Sequence, residues 1–118
     1  MIESIIREKS FNFAVRIIKL SQYLQKQGEF ILARQLLRSG TSIGANVREA
    51  KHAESRADFI HKMNIALKES EETGYWLDLL LAGGILKTEE HQSIKQDADE
   101  LTKILHSIVK TSKKKKFE

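Results

Sequence analysis

The sequence predicts an all-α protein, an antiparallel up-down-up-down four-helix bundle, and three observations predict it. The 118 residues include no proline, and 31% of them are charged. Proline marks turns, helix starts and sheet edges, so a charged chain without it reads as long helices with few loops. Apolar residues recur at spacings of three and four in four separate stretches, the period of a helix with one buried face. The connections between those stretches are short, which forces consecutive helices to run antiparallel.

The first segment covers about Ile2 to Gln27, with a stripe of Ile6, Phe13, Ile17, Leu20 and Leu24, widened by Ala14, Val15 and Ile18. Gly28 is its expected stop, because glycine accepts the left-handed conformation after a helix. The second segment covers about Glu29 to Ala53, and its face is Phe30, Ala33, Leu37, Gly40, Ile43, Val47 and Ala50. Gly40 and Gly44 sit inside this pattern, each costing roughly 1 kcal/mol of helix propensity relative to alanine. They mark either a local break near Gly40-Thr41-Ser42 or a small-residue strip for close helix approach; a continuous helix is the favoured reading.

The third segment starts near Ser55, where Ser55-Arg56-Ala57-Asp58 resembles a capping box with Asp for the usual Glu or Gln. Its face runs through Phe59, Met63, Ala66, Leu67, Gly74, Leu77 and Leu81, and Gly83-Gly84 ends it. The fourth starts near Thr88, an N-cap candidate followed by Glu89 and Glu90, which suit the helix dipole. Its stripe is Ile94, Ala98, Leu101, Leu105 and Ile108, with Ile104 and Val109 just outside. Lys113, Lys114, Lys115 and Lys116 repel one another. The expected division is therefore one domain over residues 1–112 and a disordered basic tail over 113–118.

Cysteine is absent. That excludes a disulfide scaffold, a thiolate metal site and a cysteine nucleophile, and it fits a reducing cytoplasm. The most apolar stretch, Trp76 to Leu86, contains Asp78 and falls short of the ~20 residues of a membrane span. Residues 1–10 carry acidic side chains and no apolar core, which predicts no secretion signal and a cytoplasmic location. Residues 1–51 hold nine basic and four acidic residues, residues 52–109 six basic and eleven acidic, and residues 110–118 five lysines and one glutamate. The net charge of +4 is thus a property of the tail, and the body is basic in its first half and acidic in its second.

Two polar rows stand out. Arg38, Ser42, Asn46 and Glu49 share one face of the second segment, and Glu69, Glu72 and Trp76 share one face of the third. If the rows face each other, Arg38 and Asn46 meet the carboxylates and the Trp76 indole. Such a network fixes helix register when satisfied. A ligand or nucleic-acid contact, or a pair of merely solvated faces, are the other readings. Nothing beside the carboxylates supplies a nucleophile, a metal or a cleft, so no catalytic residue, metal ligand, cofactor or small-molecule substrate is expected. His52, His61, His91 and His106 form no HExxH or Glu-x-x-His pair and read as solvent-facing. Gly83-Gly84 lacks the flanks of a phosphate loop. Lys113–Lys116 are possible phosphate contacts, or a solubilising tail.

Phe30-Ile31-Leu32 and Leu79-Leu80-Leu81 are contiguous apolar runs. A helix in a solitary bundle buries one stripe, so these runs, with Ile104 and Val109, predict a second buried surface and self-association. The segregated charge suggests a heterologous, ring-forming contact between basic and acidic flanks.

Leu36-Leu37-Arg38-Ser39-Gly40-Thr41-Ser42-Ile43-Gly44-Ala45-Asn46-Val47-Arg48-Glu49-Ala50 resembles the central signature of the bacterial four helix bundle protein family, also called the 23S ribosomal RNA intervening-sequence proteins. Ala66-Leu67-Lys68-Glu69-Ser70-Glu71-Glu72-Thr73-Gly74-Tyr75-Trp76-Leu77 resembles its second signature. The resemblance covers nearly all of the chain except the lysine tail. It implies an up-down four-helix bundle similar to the accessory protein of diversity-generating retroelements, a pentameric barrel that binds nucleic acid and a reverse transcriptase. Other members are encoded within insertions in ribosomal RNA genes. The family pattern carries over to Arg38, Ser42, Asn46, Glu49, Glu72 and Trp76. Gly44 stands where the family often has proline, which supports a continuous second helix. Ala50 stands where it often has glycine, which weighs against a sharp turn after Glu49.

These readings lead to a non-enzymatic homo-oligomer, pentameric by family analogy, that acts as a scaffold or interaction module. RNA or DNA is its expected partner. The alternative is a protein–protein adaptor with no nucleic-acid role.

Overall fold

A computed structural model describes residues 1–116 of the chain. Four helices follow one another: α1 Ile2–Lys26, α2 Phe30–Lys51, α3 Arg56–Ala82 and α4 Thr88–Lys116. Consecutive helices pack along their lengths, α1 and α4 close the ring more sparingly, and the diagonal pairs make no close backbone approach. This is the up-down-up-down bundle, drawn out to 50 × 21 × 20 Å.

Helix ends follow local chemistry. Gly28 (φ 84°) and Gly84 (φ 75°) take the left-handed conformation after α1 and α3. At the first, Glu29 N–H donates to the Leu24 carbonyl at 2.9 Å and Gly28 N–H to Gln25 at 3.0 Å. At the second, Ile85 N–H donates to Leu80 at 2.9 Å and Gly84 N–H to Leu81 at 3.0 Å. Both are Schellman caps that satisfy the last carbonyls. Ser55 Oγ caps α3, accepting from Asp58 N–H at 3.0 Å, while the Asp58 carboxylate accepts from Glu54 N–H at 3.2 Å. The shorter Asp side chain closes the box one residue earlier than its usual target.

Two boundaries differ from expectation. Thr88 is the first helical residue and not the cap. The Lys87 carbonyl accepts the first intrahelical bond, from His91 N–H at 2.9 Å, and Lys87 N–H donates to the Glu90 carboxylate at 3.0 Å. The residue that makes the difference is the Glu at the third helical position, which reaches back as in a capping box. The tail expected to be disordered from residue 113 is helical through Lys116. Lysine is a good helix former, and cations at a helix C-terminus complement the dipole, which here outweighs their mutual repulsion. Phe117 and Glu118 lie outside the described residues.

The core contains Ile6, Phe13, Ile17 and Leu24 of α1, Ala33, Leu36, Ile43 and Val47 of α2, Met63, Ala66, Leu77 and Leu80 of α3, and Leu101 and Leu105 of α4. Leu36 and Leu80 occupy places expected for Leu37 and Leu81, which are half-buried, and Phe30 is exposed. Val109 joins this chain's own core and does not look outward. Helix α2 is continuous through both internal glycines. Gly40 is required by contact: a Cβ there would stand 2.8 Å from both Cγ atoms of buried Ile17 on α1.

Candidate interaction surfaces and polar network

Side chains at spacing three and four share a helix face, so the α2 and α3 polar rows meet only if the two helices present them to one seam. They do so in part. The Arg38 guanidinium is ion-paired with Glu72 and lies 3.4 Å from Glu69. The Trp76 indole N–H donates to Glu72 at 3.0 Å. Ser42 and Asn46 do not join them. Ser42 Oγ donates to the Arg38 carbonyl at 2.6 Å, and Asn46 Nδ2 to the Ser42 carbonyl at 2.9 Å, both within α2. Glu49 pairs one turn further on with Lys62, at 2.9 Å, a partner the sequence reading missed. The hydrogen bond with Glu49, and then its charge, hold the Lys62 ammonium above the ordinary lysine value. The Arg38 side chain is half exposed, so its pairs are worth roughly 0.2–1 kcal/mol each, and they orient more than they stabilise.

Register is fixed deeper, by hydroxyls. Ser10 and Ser21 occupy the α1 stripe positions between Ile6, Phe13, Ile17 and Leu24, and both are buried. Ser21 Oγ donates to the Ala33 carbonyl of α2 at 3.2 Å. Ser39 of α2 and Thr73 of α3 share a bond of 3.0 Å, and Ser70 of α3 and Thr102 of α4 one of 2.9 Å. Each sequential helix pair is thus pinned by one hydroxyl contact. Each such bond contributes about 0.5–1.5 kcal/mol net, which a slipped register forfeits, although Ser39, Ser70, Thr73 and Thr102 also bond a carbonyl of their own helix. The sequence signal was a Ser or Thr at a stripe position, where an apolar residue was expected.

The α3–α4 seam carries a further group. His91 Nε2 lies 2.8 Å from Asp78, and Lys95 Nζ 3.1 Å from the same carboxylate. His91 is therefore half-buried and bonded, not solvent-facing as expected; the turn at Gly83-Gly84 brings the α4 start back beside Asp78. Partial burial pushes the Asp78 carboxyl up, and the hydrogen bonds and charges of His91 and Lys95 outweigh it, leaving it below the ordinary carboxylate value.

The segregated charge finds partners inside the chain. Lys9 pairs with Glu100 at 3.0 Å, and Arg16 with Asp97 at 2.6 Å, across the α1–α4 seam. Arg16 also donates to the Ser93 carbonyl and hydroxyl. With Arg38, these account for three cations of the basic half.

Apolar surface remains outside the core. Ile31 is 80% exposed, and Phe30, Tyr75 and Leu79 are exposed with it. The register that sets Ser39 against Thr73 brings Ile31, eight residues earlier on α2, level with Leu80–Leu81 on α3. Ile31, Tyr75 and Leu79 therefore belong to one end of the α2–α3 face, and Tyr75 meets the half-buried Trp76 edge-on. Lys113 and Lys114 are exposed on the last turns of α4. Among the described residues, no group of three His, Cys, Asp or Glu side chains is placed to hold a metal, and no helix is long and apolar enough to cross a membrane.

Comparison with known proteins follows the same lines. The sequence profile of the 23S rRNA-intervening sequence proteins matches residues 3–107. The crystal structure of a protein of unknown function from the S23 ribosomal protein family of Bacteroides thetaiotaomicron superposes with a TM-score of 0.91 at 52% identity, covering 93% of this chain and 99% of that one. No curated protein matches the chain. Four antiparallel helices and a match over nearly the whole length agree: the chain belongs to the 23S rRNA-intervening sequence protein family.

Proposed function

We propose that the protein is a non-enzymatic, self-associating helical scaffold that presents interaction surfaces in the cytoplasm, with nucleic acid as its partner. The observation that supports it most is the apolar patch of Ile31, Tyr75 and Leu79. Large apolar side chains grouped on one face of a small domain mark an interface, because leaving them in water forfeits roughly 25 cal/mol for each Å². Ile31 and Leu79 belong to the two apolar runs that read as too wide for a solitary bundle, and Tyr75 lies one turn before Leu79. A pentamer is what the family resemblance implies. The residual basic charge of α1 and α2 favours a polyanionic partner.

Light scattering coupled to size-exclusion chromatography tests the assembly. The expected result is a multiple of the 13.5 kDa chain mass, five for a pentamer. Ile31→Glu should lower that mass without melting the fold, because Ile31 is 80% exposed within the chain. A wild-type protein that stays monomeric at high micromolar concentration refutes self-association and redirects the patch to a different protein, the adaptor reading.

A further inference from the structure

Intrachain pairing leaves a specific residue of charge. Among the described residues of α1 and α2, Arg7, Lys19, Lys26, Arg34, Arg48 and Lys51 have no carboxylate within 4.0 Å. Only Glu3 and Glu8 of α1 and Glu29, just before α2, oppose them without a cation of their own. Residues 52–109 differ. Their unpaired cations, Arg56, Lys68, Lys87 and Lys103, nearly balance their unpaired carboxylates, Glu54, Asp58, Glu71, Glu89 and Glu90. The fold thus cancels most of the acidic half and leaves the α1–α2 side cationic. The expected ring contact between basic and acidic flanks would draw only on the carboxylates left unpaired, Glu54, Asp58, Glu71, Glu89 and Glu90.

A groove of about 400 Å³ runs between α1 and α2 on this side. Its floor is small, with Ala14, Thr41, Gly44 and Ala45; Phe11 stands beside it, Arg7 and Arg48 line it, and Glu49 lines it too, its carboxylate paired with Lys62. Phe11 is 58% exposed. The floor stays open because Gly44 lies against the α1 backbone: a Cβ there would be 3.4 Å from the Ser10 carbonyl. An exposed aromatic ring beside guanidinium groups that have no carboxylate partner, Arg7 donating only to Ser4 Oγ, is the arrangement that takes an unstacked base and its phosphates, since every base has a face to stack and arginine binds phosphate bidentately.

We propose that the α1–α2 groove is a binding site for single-stranded nucleic acid, with Phe11 as the stacking platform and Arg7 and Arg48 as the phosphate contacts. It rests on the nucleic-acid part of the proposed function and places that contact on the body of the bundle, away from Lys113–Lys116. The site is sequence-tolerant: stacking and charge recognise backbone and base plane, not base edges.

The test is fluorescence anisotropy of the full chain with labelled single-stranded RNA and DNA oligonucleotides of one sequence, titrated at several salt concentrations. The double variant Arg7→Gln/Arg48→Gln should weaken binding at least tenfold and flatten the salt slope by about 1.4, at roughly 0.7 for each phosphate contact to a single strand. Phe11→Ala should weaken binding roughly tenfold with the salt slope unchanged, as loss of one stacked base does. Lys68→Gln/Lys103→Gln removes the same net charge elsewhere and is the control, expected to change affinity far less. Circular dichroism and light scattering confirm that each variant keeps its fold and mass. If the control weakens binding as much as the groove variant, net charge and not this groove is responsible, and the site is wrong. If neutralising Lys113–Lys116 abolishes binding while the groove variant does not, the tail is the contact and the site is again wrong. If the groove variant instead changes the mass, the face is an interface between copies. Failure of the wild-type chain to bind either oligonucleotide overturns the nucleic-acid reading as well.

Discussion

Gly40 and Gly44 lie one turn apart in α2, and alanine at each should have opposite effects on stability. Alanine in place of a helical glycine gains about 1 kcal/mol in propensity. At Gly44 the added methyl meets the Ser10 carbonyl oxygen at 3.4 Å, an ordinary contact, so the gain survives. At Gly40 it would stand 2.8 Å from two Ile17 carbons and 3.2 Å from a third. Ile17 is β-branched and fully buried, so its Cγ atoms cannot swing aside without moving α1. Overpacking of this kind costs about 1–3 kcal/mol, which exceeds or cancels the propensity gain. Gly44→Ala should therefore raise the melting temperature by about 4 °C, and Gly40→Ala should lower it by up to about 8 °C, given roughly 4 °C per kcal/mol at this size. Urea and thermal denaturation followed by circular dichroism, at one protein concentration, measure both. The Ile17→Ala background removes the two closest atoms, so there Gly40→Ala should cease to destabilise, a coupling of about 1 kcal/mol or more. Equal shifts for the two glycine variants, or no coupling to Ile17, would refute the close-approach account of α2.

Thr73→Val keeps the shape of a buried side chain and removes its bond to Ser39; it should cost about 0.5–1.5 kcal/mol in urea denaturation, because Ser39 Oγ keeps its own bond to the Leu36 carbonyl. Asp78 is held below its ordinary value, so the α3–α4 pairing contributes stability that is present above about pH 4 and fades as the pH falls through the lower folded value. Asp78→Asn should flatten the pH dependence of the melting temperature in that acidic window; an unchanged acid limb would count against the pairing. Asn46→Ala should change stability by less than about 0.5 kcal/mol, because its amide bonds only the backbone of its own helix. Trp76→Ala should cost about 2 kcal/mol, half the loss of a fully buried aromatic, and thermal melts of the two variants side by side separate these roles.

Periodicity carried most of the fold because a helix face is a one-dimensional pattern. Ile6, Phe13, Ile17 and Leu24 announce themselves by spacing alone, and Ser55, Gly28 and Gly83-Gly84 mark ends by local hydrogen bonding. What spacing cannot resolve is rotation about the helix axis where two apolar residues adjoin. Leu36 and Leu37 differ by about 100° of turn, and only packing against α1 and α3 decides which is buried. Pairings across helices were legible only where residue type was restrictive. Arg38 and Trp76 had few suitable partners besides Glu69 and Glu72. Glu49 and Asn46 had many, and the partner of Glu49, Lys62, depends on the register of α2 against α3, which buried hydroxyls set and composition does not reveal.

The same register decides which surface of the molecule is left charged. Ser39 is anchored to Thr73 and Gly40 is pressed on Ile17, so the rotation of α2 is fixed between its two neighbours. In that rotation Arg38 turns to α3 and is neutralised by Glu69 and Glu72, whereas Arg48, ten residues on and about 80° round the helix, lines the α1 groove with Arg7. Two arginines of one helix thereby take different parts: one orients the α2–α3 seam beside the apolar patch, and one stays free. The apolar patch of Ile31, Tyr75 and Leu79 and the basic groove at Phe11 consequently occupy opposite halves of α2. A chain that associates through the first surface leaves the second open, so loss of self-association by Ile31→Glu should lower the number of grooves per particle and weaken binding to a long single strand more than to a short one.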